Sequence, residues 1–108
     1  MKRLVFLGLL ASLIAPTAMA DAPAPTLVLK DHKFLPVEIH VKANQPNVIT
    51  LVNRDDSAEE FDSTSLKVEK VVAGHDQGDV RLRPLAPGRY NFMGEFHSAT
   101  AQGVVIAE

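Results

Sequence analysis

Six consecutive residues alternate without a break: Val37, Ile39 and Val41 are apolar, and Glu38, His40 and Lys42 are polar. A period of two puts the first set on one face of an extended strand and the second on the other. Asp79 to Arg83 and Arg89 to Phe92 repeat the pattern. Thr26 to Lys30, Asn47 to Asn53 and Gly103 to Ala107 are rich in apolar and β-branched residues and read as more fully buried strands. Lys67 to Ala73 reads as a further strand. No segment keeps a helical period for more than two turns. Turn-forming residues at Asn44 to Asn47 and Ala73 to Gly78 read as hairpin connections. Asp55 to Ser65 is polar and acidic, and is read as part loop. Short strands with turns between them predict an all-β sandwich of about seven to eight strands.

A second motif sets the topology. In Leu85, Pro87, Gly88, Tyr90 the glycine is expected at positive φ in a tight arch, and the Tyr90 hydroxyl then bonds backbone a few residues upstream. This is the tyrosine corner of Greek-key sandwiches.

The N-terminus reads differently. Lys2 and Arg3 precede an apolar run, Leu4 to Ile14, broken by Pro16 and closed by Ala18, Met19 and Ala20. This is the pattern of a secretory signal peptide, residues 1–20, cleaved after Ala20. The run is too short for the about 20 residues of a membrane-spanning helix. Residues 21–25 carry two prolines and read as an extended tether, and 26–108 form one domain. The expected location is the periplasm, with no membrane span after cleavage. Loss of Lys2 and Arg3 leaves nine basic and thirteen acidic residues, a net charge of −4. That balance argues against nucleic-acid binding. The chain has no cysteine, so neither a disulfide nor a copper–thiolate bond is available.

The C-terminal stretch Tyr90, Phe92, Gly94, Glu95, Phe96, His97, followed by Gln102, has the spacing of the metal loop in small copper proteins. With Phe34, Pro36, Ile39, Val41 and the Asn53 that ends a strand, the chain resembles the cupredoxin-like domain of the EfeO type. Within that group it is similar to the small periplasmic FtrB-like components of bacterial iron uptake. The resemblance covers Thr26 to Glu108 and implies a cupredoxin-like Greek-key sandwich. It also implies which positions correspond to the four copper ligands: Glu59 stands at the first histidine, Gly94 at the cysteine, His97 at the second histidine and Gln102 at the methionine. Only His97 keeps the ligand type, so a blue-copper electron carrier is ruled out.

Carboxylates with one imidazole form a hard donor set that suits iron or copper(II) and disfavours Cu(I). Glu59, Glu95 and His97 are the expected metal ligands. Glu95 and His97 share a face if their segment is extended. Glu60 is expected to point away from the core and to brace His97 or its loop, and His32 to approach from the end of the first strand. Gln102 is expected to hold the loop, His40 to face solvent, and His75 to sit in a turn. The resemblance implies a metal-binding component of iron uptake beside a membrane iron permease or a sister periplasmic iron-binding protein, with a ferroxidase step if Cu(II) is bound. Nothing reads as an independent hydrolase: there is no nucleophile elbow and no phosphate-binding glycine loop. The alternative is a metal-free adaptor that uses the sandwich only to dock a partner.

Overall fold

A computed structural model describes residues 24–108; the expected signal peptide and most of the tether lie outside them. The described residues form nine strands: β1 (Thr26–Lys30), β2 (Lys33–Leu35), β3 (Glu38–Val41), β4 (Asn47–Asn53), β5 (Glu59–Ser63), β6 (Val68–Val72), β7 (Gln77–Leu82), β8 (Gly88–Gly94) and β9 (Gln102–Ala107). A 3-10 turn, Glu95–His97, follows β8. The strands make two sheets, in the orders β2-β1-β4-β7 and β3-β9-β8-β5-β6. The pairs β1–β4 and β3–β9 are parallel, and the others are antiparallel. The all-β sandwich anticipated from the alternation is the observed architecture.

The core lies between the sheets. Leu27, Leu29, Ile49, Leu51 and Val80 come from one sheet, and Ile39, Phe61, Phe92 and Val105 from the other. Phe34, Phe61 and Phe92 meet at its centre. Phe61 stacks on Phe92 at 4.7 Å between ring centroids, and Phe34 meets Phe92 edge-on at 5.2 Å. Such pairs contribute about 0.5–1.5 kcal/mol each beyond the area they bury. Gly103 makes the cluster possible, because a Cβ there would stand 2.4 Å from a Phe92 ring carbon.

Several local expectations change. The segments at Asn44 to Asn47 and Ala73 to Gly78 do not close hairpins; each carries the chain from one sheet to the other. Turn residues reverse the chain, but strand pairing decides which sheet receives it. Val37 is not on the inner face with Ile39 and Val41. It precedes β3 and is exposed, while its carbonyl accepts the Val104 amide. Asp55 to Ser65 is part loop as expected; its other part is β5, whose core face is Glu59, Phe61 and Ser63. The tether is already paired at its end, where the Pro25 carbonyl accepts the Thr50 amide at 2.9 Å. Gly88 does not take positive φ. The corner is present nonetheless: the Tyr90 hydroxyl donates to the Ala86 carbonyl at 2.8 Å.

Candidate functional site

The inner face of β5 runs Glu59, Phe61, Ser63, so the residue at its outer end continues the core row toward the tip of the sandwich. Opposite, Phe61 pairs with Gly94 at the end of β8. Beyond Gly94 the chain folds into the 3-10 turn. The Gly94 amide donates to the Ala101 carbonyl at 2.8 Å, and the amides of Thr100 and Ala101 return to the His97 carbonyl. The Gln102 amide donates to the Ser98 carbonyl at 2.9 Å and so holds the same loop.

Glu59 and His97 meet at this tip. Glu59 has no exposed surface. Its Oε1 accepts the backbone amides of Phe96 at 2.9 Å and Glu60 at 3.1 Å, and its Oε2 lies 2.5 Å from Nδ1 of His97. A carboxylate that accepts at both oxygens assigns the ring proton to Nδ1. Nε2 then carries the lone pair. It makes no hydrogen bond to the described residues, and among them no buried side-chain nitrogen is left without a partner, so Nε2 reaches solvent.

His32 covers one face of this imidazole. Its ring stacks on that of His97 at a centroid distance of 3.5 Å and an interplanar angle of 13°. A buried polar chain holds it there. Asp31 and His32 form the β1–β2 turn with φ of 52° and 57°. Asp55 accepts both their amides, at 2.7 and 2.9 Å. The Asp55 amide in turn donates to Oδ1 of Asn53, whose Nδ2 donates to the carbonyls of Ser57 and Val72. Asn53 was legible only as a strand end, and Asp55 was missed altogether. Their one sequence signal is Asn53 and Asp55 two apart after a strand, a spacing that favours side-chain to backbone turns.

Burial alone would raise the Asp55 carboxyl, but the amides of His32 and Asp31 outweigh it and hold the group below its ordinary 3.8. A carboxyl depressed in the folded state adds stability that is complete above its unfolded value and is lost as pH falls through the folded one. Asp55→Asn is therefore expected to unfold more easily at neutral pH, by about 1.5–3 kcal/mol. Its acid limb below about pH 4 should be shallower than that of the parent. Urea titrations between pH 2 and 7 measure both effects.

The other two expected residues go elsewhere. Glu95 and His97 do not share a face, because Glu95–His97 is a 3-10 turn rather than an extended segment. Glu95 is exposed and stands with Glu60 and Asp62 outside the sheet. The charges of Glu60 and Asp62 push its carboxyl above the ordinary value. Glu60 points away from the core as anticipated, but the carboxylate that braces His97 is Glu59. His40 is exposed and bonds Glu108, and His75 sits in a turn at φ 55° beside Asp56.

The sequence profile of the Cupredoxin-like domain family matches residues 3–107. The chain belongs to the cupredoxin-like family. An uncharacterized protein of Rickettsia prowazekii (strain Madrid E) is 41% identical over 80 residues, covering 74% of this chain; the chain spans 64% of that relative's length. Among solved structures it is similar to amicyanin from Paracoccus versutus, with a TM-score of 0.63 and 17% identity over 81% of this chain and 83% of the other. Auracyanin A, a blue copper protein from Chloroflexus aurantiacus, gives a TM-score of 0.65 and 14% identity over 79% of this chain and 98% of the other. The metal-binding domain of the Cu(I)-exporting P-type ATPase of Streptococcus pneumoniae D39 gives 0.65 and 14% over 77% and 82%. At these identities the structures attest the fold alone.

The residues of this cupredoxin-like protein do not fit a blue-copper centre. There is no thiol in the chain. At Gly94 a Cβ would stand 2.6 Å from Cδ of Glu59 and 2.8 Å from both its Oε1 and the Ala101 Cβ. The backbone there, φ −89° and ψ 109°, suits any residue. Glycine is required for space, and the Glu59 carboxylate fills that space. Among the described residues no three His, Asp or Glu side chains are arranged to hold a metal ion.

Proposed function

We propose that this cupredoxin-like protein is an exported metal-handling component of iron uptake, which takes iron or copper(II) as cargo at the tip of the sandwich and passes it to a membrane permease or a sister periplasmic protein. The observation that carries the reading is the Glu59–His97–His32 arrangement. A buried carboxylate that takes the Nδ1 proton fixes the tautomer and orientation of an imidazole, as carboxylates do behind metal-bound histidines. His97 then offers Nε2 outward, and His32 supplies a second imidazole beside it. Stacked rings cannot aim two in-plane lone pairs at one ion, so His32 turns off the stack when cargo binds. Imidazole and water oxygen suit iron(II), copper(II) and zinc(II). The assignment to iron and to a permease rests on the sequence resemblance, and the exported location on the N-terminal signal pattern. Glu95, with Glu60, belongs to the acidic outer surface and has no part in this contact.

A specific observation favours the second reading, a metal-free adaptor: both oxygens of Glu59 are already engaged. Calorimetric titration of metal-free protein with Fe(II), Cu(II) and Zn(II) separates the two. Binding tighter than about millimolar, weakened about tenfold or more by His32→Ala, is the expected result. No uptake of any of the three ions rejects metal handling and leaves the adaptor.

A further inference from the structure

We infer that Glu59 and Gly94 are a coupled pair: the carboxylate takes the place and the cross-linking role that a metal–thiolate centre has at this tip, and it does so only because position 94 has no side chain. The inference concerns the cross-link and holds whether or not His97 also meets cargo.

Three observations carry it. Glu59 ties β5 to the loop after β8 through two bonds, to the Phe96 amide and to His97 across the tip, and accepts a third from its own neighbour Glu60. It does so from a fully buried position in the core row, where an uncompensated carboxylate is strongly disfavoured. The volume it fills is the one a side chain at 94 would enter, with 2.6 Å between that side chain's Cβ and the carboxylate carbon. Since the Gly94 backbone is ordinary for any residue, the glycine answers to the carboxylate and to Ala101, not to φ. Side chain at 94 and carboxylate at 59 are thus mutually exclusive. This excludes soft metals by occupancy as well as by donor chemistry, and lets the loop keep its shape with no ion.

The test is a stability cycle read by urea unfolding. Gly94→Ala should lower the folding equilibrium constant on the order of tenfold or more, the usual effect of overpacking. The same substitution in a Glu59→Ala background should cost clearly less, with a residue of the penalty left by the 2.8 Å approach to Ala101. Equal penalties in the two backgrounds would overturn the inference. Copper(II) gives a second readout. Glu59→His with Gly94→Cys, beside His97, supplies two imidazoles and a thiolate, the trigonal set of blue copper sites. That protein, or Glu59→Ala with Gly94→Cys should the first fail to fold, is expected to show intense visible thiolate-to-copper absorption that Gly94→Cys alone lacks. Equal spectra, or no band in either protein, would overturn the inference.

Discussion

His97→Ala is expected to destabilise the protein by about 3 kcal/mol, because truncation leaves a buried carboxylate oxygen without its donor. The substitution leaves Glu59 with no exposed surface and with Oε2 unpartnered. The two amides at Oε1 remain, so the penalty falls on one oxygen and on the charge it shares. For a domain whose total stability is on the order of 5–15 kcal/mol, the loss is a large fraction, and it should lower the melting temperature by about 15 °C. The test has an internal control. Replacing both partners, His97→Ala with Glu59→Leu, removes the buried charge together with its partner and should recover part of the loss, since an apolar replacement of a buried pair is often close to neutral. Thermal and urea unfolding of the three proteins measure this. A double variant less stable than His97→Ala would show that the Phe96 and Glu60 amides lose more with Glu59 than its unpartnered charge costs.

Asn53→Ala acts farther from the tip and through more bonds. The side chain is 1% exposed, donates to Ser57 and Val72, and accepts from the Asp55 amide. Truncation takes this partner from the Val72 carbonyl and the Asp55 amide, both buried, and from the part-buried Ser57 carbonyl; each lost buried partner costs about 1–3 kcal/mol before water or rearrangement compensates. A net loss of about 3 kcal/mol is expected. The loop that carries Asp55 loosens with it, and Asp55 is what holds the positive-φ turn under His32. Copper(II) affinity should therefore fall about tenfold, as it does when residues that orient a metal-binding histidine are lost. Calorimetric titration of folded Asn53→Ala at low temperature checks the second effect separately from the first. Unchanged affinity in the folded variant would mean that His32 does not contribute to binding.

How much of this was legible in the residues depends on the distance over which each feature is encoded. The strands were, because side-chain alternation is local: Ile39 and Val41 face the core as their period requires. So was the corner, which needs only Tyr90 and a backbone four residues back. The pairing of strands was not, since Asn44 to Asn47 and Ala73 to Gly78 look the same whether they close a hairpin or cross between sheets. β5 was partly hidden because its core row begins with a glutamate inside an acidic run, although the copper-ligand spacing had already set Glu59 beside His97, 38 residues on. Glu95 was misplaced for a local reason. An assumed extended segment puts residues two apart on one face, and a 3-10 turn does not. Asp55 was invisible because its work is done on the amides of Asp31 and His32, which no side-chain pattern marks.

At the tip of the sandwich Glu59 holds the Nδ1 proton of His97 and leaves Nε2 as the outward nitrogen. Long-range proton–nitrogen correlation spectra of the imidazoles in nitrogen-15-labelled protein, taken before and after addition of zinc(II) as a diamagnetic probe, test it most directly. His97 is expected to be protonated on Nδ1 in the metal-free protein, and zinc to shift its Nε2 while the Nδ1 proton stays. A His97 protonated on Nε2, or a zinc-induced shift on Nδ1 with loss of its proton, would contradict it.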